Sequence, residues 1–92
     1  MLNIEQTKKS LGASGGLREI EHIIATFEGY RYDSEGKEQW VTVKISDRGQ
    51  NQRPDFRYTC QATSEGGKKM ATGNPEATVE LAIMHVHWNN LD

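Results

Sequence analysis

The chain has 92 residues, enough for one small domain, and only 35% of them are apolar, so its core must be thin. The net charge of −2 excludes the overall positive field that by itself indicates nucleic-acid binding. Cys60 is the only cysteine, which excludes an intramolecular disulfide, and the N-terminal part has no apolar run of signal-peptide or membrane length. These bounds predict a soluble, cytoplasmic domain.

The N-terminal segment predicts a short helix followed by a linker. Asn3, followed three residues later by Gln6, has the pattern of a capping box. Gly12 can end this helix in a left-handed conformation, and the Gly/Ser-rich residues after it are typical of a flexible link. We therefore expect residues 1–16 to form a short, partly mobile segment and residues 17–92 to form a single ββββα domain.

The next stretch fits two interpretations. Five apolar residues have the spacing of a helical stripe: Leu17, Ile20, Ile23, Ile24 and Phe27. The run that follows Ile23 is instead β-branched and aromatic, and it contains Gly29, which disfavours a helix. The second pattern favours a strand from about Ile20 to Tyr32. A bulge at Gly29 would turn five of its side chains inward: Ile23, Ala25, Phe27, Tyr30 and Tyr32.

Three further strands are expected before the C-terminal helix. Residues 33–37 form a turn that leads into the alternating stretch 40–45, which completes a hairpin. A polar loop at 47–55 precedes the clearest alternation of the chain, residues 56–63. A Gly-rich turn then leads into a short fourth strand at 69–72.

A long helix is predicted for residues 74–91. Asn74 can cap its first turn, Pro75 suits the first helical position, and Glu76 is favourable at the positive end of the helix dipole. The expected fold is therefore α+β: a four-stranded antiparallel sheet with one face covered by the C-terminal helix, and a short N-terminal helix. A second apolar stripe on this helix, around Val79 and Ile83, either packs against the N-terminal helix or forms a dimer or partner surface.

Catalytic and metal-binding patterns are not apparent. His85 and His87 point about 200° apart on a helix, so they cannot share a metal ion. Cys60 belongs to the inward-facing set of its strand, where cysteine behaves as a small apolar residue. The turn at 33–37 lacks the ligands of a calcium loop. The sequence therefore predicts no enzyme activity, no metal and no cofactor.

Binding to a partner is the remaining functional class. The outward face of the sheet is expected to show Trp40, Thr42, Lys44, Arg57, Thr59 and Gln61. A tryptophan beside cations can stack on a base or an aromatic group while the cations meet phosphate. With the neighbouring loop and turn, the candidate partner-binding residues are Trp40, Lys44, Arg48, Arg53, Arg57, Lys68 and Lys69.

Part of the chain resembles a double-stranded-RNA-binding domain. Residues 54–60 look like the second strand of that family, 68–73 like its hairpin return, and 74–91 like its last helix, with 40–45 as the first strand. The resemblance implies a βββα architecture and contacts to duplex RNA. Family members carry a basic cluster at the start of the last helix that clamps phosphates. This chain has Asn-Pro-Glu at 74–76 instead, so the resemblance supports the architecture more than RNA binding.

In size and character the chain is also similar to small phage-borne inhibitors such as anti-CRISPR proteins, which dock on a nucleic-acid-binding complex. The first hypothesis is therefore a non-enzymatic protein that docks on a protein or nucleoprotein complex as an inhibitor of this type. The alternative is direct RNA or DNA binding by a divergent domain of the double-stranded-RNA-binding type. A second alternative is a homodimeric scaffold built on the second helix stripe.

Overall fold

The computed structural model describes residues 2–49 and 52–92. Met1 of the predicted N-terminal segment, and Gln50 and Asn51 of the predicted polar loop, lie outside the described residues. The helices and strands are α1 (Ile4–Gly15), β1 (His22–Tyr32), β2 (Glu38–Asp47), β3 (Tyr58–Ser64), β4 (Met70–Thr72) and α2 (Val79–Met84). Short 3-10 helices occupy Pro54–Phe56, Glu65–Gly67 and Trp88–Leu91.

The four strands form one antiparallel sheet in the order β1-β2-β3-β4, which confirms the predicted α+β fold class. Each strand pairs with its neighbour in sequence, as expected when every connection is a short turn or loop. In the part of the chain that the structure describes, no helix is long and apolar enough to cross a membrane.

Helix α1 begins as predicted and ends later than predicted. The Asn3 side chain accepts a hydrogen bond from the Gln6 amide at 2.9 Å, which satisfies one of the unpaired donors of the first turn. The expected end at Gly12 was wrong, because the helix continues to Gly15. The left-handed residue is Gly16, with φ of 67°, and its amide donates to the Gly12 carbonyl at 3.1 Å.

Strand β1 resolves the ambiguity of the second segment in favour of a strand. Its bulge lies between Ile23 and Ala25, and the register runs without interruption from Ala25 through Gly29 to Tyr32. The predicted bulge at Gly29 was therefore wrong. Because successive side chains of a strand alternate between faces, moving the bulge turns Ile23, Tyr30 and Tyr32, which were expected inward, to the outward face.

The core lies between the inner face of the sheet and the C-terminal segment. It consists of Val41, Ile45, Cys60, Ala62, Ala71, Ala82, Val86 and Leu91. Helix α2 packs on β3, while the 3-10 helix at Trp88–Leu91 packs mainly on β4. Most of these side chains are small, as the low apolar content predicts, and Leu91 is the one large side chain among the described residues with an exposed fraction below 2%.

The predicted long helix at residues 74–91 was wrong at its start. Glu76 continues the sheet instead, because it exchanges two main-chain hydrogen bonds with Tyr58, of 2.8 and 2.9 Å. The helix begins only after Thr78, whose hydroxyl accepts from the Leu81 amide at 3.1 Å. Asn74 and Pro75 therefore have no place in the helix, and a later cap residue, Thr78, starts it.

The helix also ends early. Beyond Met84 the chain turns back toward the sheet, and the His87 amide donates to the Thr72 carbonyl at 3.0 Å. This turn places Val86 and Leu91 in the core together with Ala82. The two apolar stripes expected on one continuous helix are thus divided between a short helix and a folded-back segment.

Candidate partner-binding surface

The strand register assigns every sheet residue to one of two faces. Directly paired residues share a face, so the pairs Tyr30–Trp40, Thr42–Thr63 and Lys44–Gln61 define the outward face. The remaining outward positions, counted along the alternation, are Ile23, Thr26, Glu28, Tyr32, Glu38, Ser46, Thr59, Met70 and Thr72. The major covering elements, α2 and the last 3-10 helix, pack with the core residues on the other face. The outward face is therefore open.

Three aromatic side chains meet on this open face, and we call Tyr30, Tyr32 and Trp40 the aromatic cluster. The Tyr30 and Trp40 rings lie 5.7 Å apart between centroids, tilted by 58°. The Tyr30 and Tyr32 rings lie 6.0 Å apart at an angle of 87°, an edge-to-face contact. Their exposed fractions are 56% for Tyr30, 62% for Tyr32 and 51% for Trp40. The cluster is held together by its own contacts and remains accessible.

Shallow depressions flank Trp40 on two sides, and the charges around them are mixed. One depression, of about 250 Å³, includes Glu28, Thr42 and Glu65 in its lining. The other, of about 350 Å³, has a lining of both signs: Asp33, Lys37, Glu38, Gln39, Trp40, Ser64, Glu65, Lys68 and Lys69. The rim of the aromatic cluster thus has no single sign of charge.

The structure divides the seven predicted partner-binding residues into two groups. Trp40, Lys68 and Lys69 line the same depression, and Lys44 lies farther along β2 on the same outward face. The three arginines lie at the other end of β2, where the strand ends at Asp47. Eight residues of strand separate Trp40 from Arg48, or roughly 26 Å. The arginines and the tryptophan are therefore not parts of one compact site.

At the end of β2 that carries the arginines, the charge of Arg57 is neutralised by a contact within the chain. Arg57 forms a two-pronged ion pair with Asp47, its Nε and Nη2 each lying 2.9 Å from a carboxylate oxygen. The Arg57 guanidinium holds the pKa of Asp47 below its usual range, assisted by the Gly49 amide at 2.8 Å, and Asp47 in turn raises the pKa of Arg57. The Arg57 side chain therefore stabilises the fold and is not available to bind a partner.

The other predicted cations differ in how far they are engaged. Arg48 donates to the Phe56 carbonyl at 3.2 Å and lies 3.6 Å from Glu21. The Arg53 guanidinium lies over the Phe56 ring, 5.3 Å from its centroid. It is also 3.8 Å from a carboxylate oxygen of Asp55. Lys69 donates to the main-chain oxygen of Asp92 at 2.8 Å. Within residues 2–49 and 52–92, Lys44 and Lys68 form no ion pair.

The Asp47–Arg57 pair makes a prediction about acid stability. Because the pKa of Asp47 is lower in the folded chain than in the unfolded chain, its stabilising contribution is complete above about pH 4 and is lost as the pH falls further. In the Asp47→Asn variant this titration is absent. Urea unfolding at a series of pH values should give a smaller loss of unfolding free energy from about pH 4 to pH 2 than in the wild type. Equal losses would contradict the assignment.

Sequence reasoning missed Tyr30 and Tyr32 as surface residues. The hairpin turn at 33–37 indicates their position. It pairs Tyr32 with Glu38, and the same register places Tyr30, two residues earlier in β1, opposite Trp40. Reading the register from the turn, instead of from Gly29, would have placed all three aromatic rings on one face.

The structure also shows the surroundings of the cysteine and of the histidine that the sequence singles out. Cys60 is buried in the core, and desolvation raises the pKa of its thiol, so it is not an activated nucleophile. His85 contacts Glu76 through Nδ1 at 3.1 Å. Among the residues that the structure describes, no group of three or more His, Cys, Asp or Glu side chains could hold a metal ion.

A scan against protein-family models found no match to this chain, and searches of curated proteins and of solved structures likewise found none.

Proposed function

We propose that this chain is a non-enzymatic binding protein whose outward sheet face, centred on the aromatic cluster, docks on the protein surface of a partner complex. The observation that carries the proposal is the mutual contact of Tyr30, Tyr32 and Trp40 with more than half of each side chain exposed. A small inhibitor of a nucleoprotein complex, similar to the phage-borne inhibitors, would act in this way by covering a working surface of the complex.

Aromatic side chains suit a docking role for a physical reason. Tyrosine and tryptophan bring large contact areas at a low cost in side-chain entropy, and they also carry a polar group that can bond at the edge of an interface. They are enriched among the few residues that supply most of the binding free energy. A contiguous exposed aromatic patch costs solubility, and such patches commonly mark interaction sites.

The charges around the cluster favour a protein partner over nucleic acid. Nucleic-acid binding is driven largely by contacts between free cations and phosphates. Glu28 and Glu65 line one side of Trp40, and three of the predicted cations, Arg48, Arg57 and Lys69, already have internal partners. Such a mixed rim suits the polar edge of a protein–protein interface.

Affinity capture tests the proposal. Immobilised wild-type protein is incubated with an extract of the native host cell, in parallel with the Trp40→Ala and Arg53→Glu variants. A partner bound through the aromatic cluster should be retained by Arg53→Glu and lost, by about tenfold or more, with Trp40→Ala. Retention by Trp40→Ala together with loss by Arg53→Glu would reject the proposed surface and return the site to the arginine loop.

Salt separates the protein partner from the nucleic-acid alternative. Binding through phosphates should weaken by several orders of magnitude between about 50 and 200 mM salt if six or more phosphates are contacted. Docking through the aromatic cluster should change much less over this range. A steep loss of the captured partner, together with a shift of labelled RNA or DNA by the purified protein, would favour direct nucleic-acid binding.

A further inference from the structure

Strand β1 leaves a long edge of the sheet open. It has 11 residues and pairs only with β2, whereas the opposite edge is the three-residue β4, on which the last 3-10 helix packs. An open edge presents unpaired amide and carbonyl groups that can pair with another strand. β1 is therefore the part of the sheet with the greatest capacity for further pairing.

The hairpin fixes which groups of β1 face the open edge. The Asp33 amide donates to the Lys37 carbonyl at 2.9 Å, so the main-chain groups of Asp33 point toward β2. In an antiparallel ladder these directions alternate along the strand, so odd-numbered residues back to Ala25 also bond to β2. The amides and carbonyls that face outward belong to Thr26, Glu28, Tyr30 and Tyr32.

The usual protections of an open edge are largely missing between Ala25 and Tyr32. This segment contains neither lysine nor proline, and the bulge lies before it. Phe27 is 59% exposed on the inner side of the edge, and Tyr30 is 56% exposed on the outer side. The Arg31 guanidinium is held by Asp92 at 2.9 Å. Each face of the edge thus has an exposed aromatic side chain and one charged residue, Glu28 on the outer side and Arg31 on the inner side.

We propose that β1 pairs antiparallel with β1 of a second copy of this chain, about a two-fold axis at Gly29. The sheet then continues across the axis as eight strands. Glu28 and Tyr30 of one copy face Tyr30 and Glu28 of the other, and Thr26 faces Tyr32. These pairs use the outward-facing main-chain groups identified above and would form about eight hydrogen bonds.

The side chains favour this register over the one centred on Glu28. An axis at Glu28 would set two carboxylates against each other, which is destabilising. The axis at Gly29 places Arg31 of one copy beside Phe27 of the other. The Arg31 guanidinium can stay bonded to Asp92 while its aliphatic stem packs against the ring. Gly29 itself brings no side chain to the axis.

The shape of the single chain agrees with a missing neighbour. Its radius of gyration is 15.0 Å, and its extents are 46 × 27 × 23 Å. A compact chain of this length would have a radius of gyration of about 12 Å. The core leaves Phe27 of β1 59% exposed beside the open edge. In the proposed pairing Phe27 gains a neighbour from the second copy.

The pairing rests on its own observations and does not depend on the proposed function. If both proposals are correct, the pairing determines where the two docking surfaces lie. A two-fold axis perpendicular to the sheet keeps each residue on its own face, so both aromatic clusters would lie on the same side of the joined sheet. The protein would then present a double docking surface.

Disulfide trapping tests the axis directly. In the Gly29→Cys variant the two new cysteines would face each other across a pair that is not hydrogen-bonded, with Cα atoms about 4.5 Å apart. This spacing is within the disulfide range of about 4.4–6.8 Å. A Cβ at Gly29 meets no other atom within 4 Å, so the variant should fold, and the native Cys60 is buried. Mild oxidation should convert Gly29→Cys to a covalent dimer.

The matched control is Thr26→Cys, also exposed on β1. In the proposed register the two introduced cysteines of this variant lie about 20 Å apart, so it should cross-link at least tenfold more slowly. Equal rates for the two variants would overturn the proposal, and so would a wild-type protein that sediments as a monomer at about 1 mM.

A second pair of variants tests the main-chain bonds. Glu28→Pro removes an amide that faces the open edge and leaves the bonds to β2 in place, which edge strands tolerate. Glu28→Ala removes only the side chain. Sedimentation should show a dissociation constant at least tenfold higher for Glu28→Pro than for Glu28→Ala, and equal constants would overturn the proposal. Trp40→Ala should leave the dimer intact, so failure of the proposed function and failure of the pairing remain distinguishable.

Discussion

Replacing Leu91 with alanine is expected to lower the free energy of unfolding by about 3 kcal/mol. Leu91 has an exposed fraction of 0% and closes the core against β4. Truncating a fully buried leucine removes its transfer free energy and leaves a cavity that the structure refills only in part. Thermal unfolding of a domain this small should shift down by about 12–20 °C.

The residues around Leu91 make this cavity hard to refill. The Gln39 side chain donates to the Leu91 carbonyl at 2.6 Å, and Arg31 contacts both Gln39 at 3.1 Å and Asp92 at 2.9 Å. These bonds hold the segment in position, so it cannot easily close over a smaller side chain.

Met84→Ala is the matched control for this truncation. Met84 lies at the end of α2 and is 67% exposed, so its loss should change the free energy of unfolding by less than about 0.5 kcal/mol. A loss below 1 kcal/mol for Leu91→Ala, or equal losses for both variants, would show that the C-terminal segment does not close the core.

Gly73→Ala is expected to cost about 2 kcal/mol of unfolding free energy, the second largest effect. A Cβ at Gly73 would lie 2.5 Å from the His85 carbonyl oxygen and 3.0 Å from the His85 carbonyl carbon. Both are main-chain atoms, so they cannot move aside as the end of a flexible side chain could. The chain must separate β4 from the turn after α2, which strains the His87–Thr72 hydrogen bond.

The same substitution at Gly12 provides the control for Gly73→Ala. Gly12 lies inside α1, and a Cβ there would meet its nearest atom, the Leu17 carbonyl oxygen, at an ordinary 3.6 Å. Alanine in a helix interior is better than glycine by about 0.5–1 kcal/mol, so Gly12→Ala should stabilise the protein. Urea unfolding of both variants should give opposite signs. Matching signs would contradict the close approach assigned to Gly73.

Local patterns predicted the parts of the fold that local interactions decide. The alternation of residues 56–63 predicted a half-buried strand, and β3 has its buried residues at Cys60, Ala62 and Ser64. The side-chain cap of Asn3 was likewise readable, because it needs only residues one turn away.

The start and the end of the C-terminal helix could not be predicted from local patterns. Asn74 and Pro75 carry a strong start signal, yet the Tyr58–Glu76 ladder keeps this stretch extended. That competition is tertiary: a pairing with a residue 18 positions earlier wins over a local propensity of about 1 kcal/mol. The early end of α2 at Met84 has the same origin, since the chain turns to bond with Thr72.

The sequence predicted only part of the candidate site correctly. Trp40 was correctly placed on the outward face, because residues 40–45 alternate cleanly. Its neighbours Tyr30 and Tyr32 were assigned inward, because the position of a bulge decides the face of every residue beyond it, and Gly29 gave a false location. The expected place of Arg57 on the outward face of the sheet was wrong. β3 begins only at Tyr58, and the Arg57 guanidinium bonds to Asp47 at the end of the neighbouring strand, a contact that local patterns do not predict.

If a partner covers the open sheet face at Trp40, the two tryptophans of the chain allow this to be measured directly. Trp40 is 51% exposed, whereas the Trp88 indole donates to the Ile83 carbonyl at 3.2 Å and packs against the core. A Trp88→Phe variant therefore reports on Trp40 by fluorescence, and a Trp40→Phe variant reports on Trp88.

The decisive experiment is acrylamide quenching of both variants, measured for the free protein and for its complex with the captured partner at a saturating concentration. The partner's own tryptophan fluorescence is subtracted, or a tryptophan-free fragment of the partner is used in its place. We predict that Trp40 becomes at least about threefold less accessible to the quencher in the complex, because hot-spot aromatic residues are fully desolvated. Trp88 should not change. An accessibility of Trp40 that is the same in the free and bound protein would contradict the account.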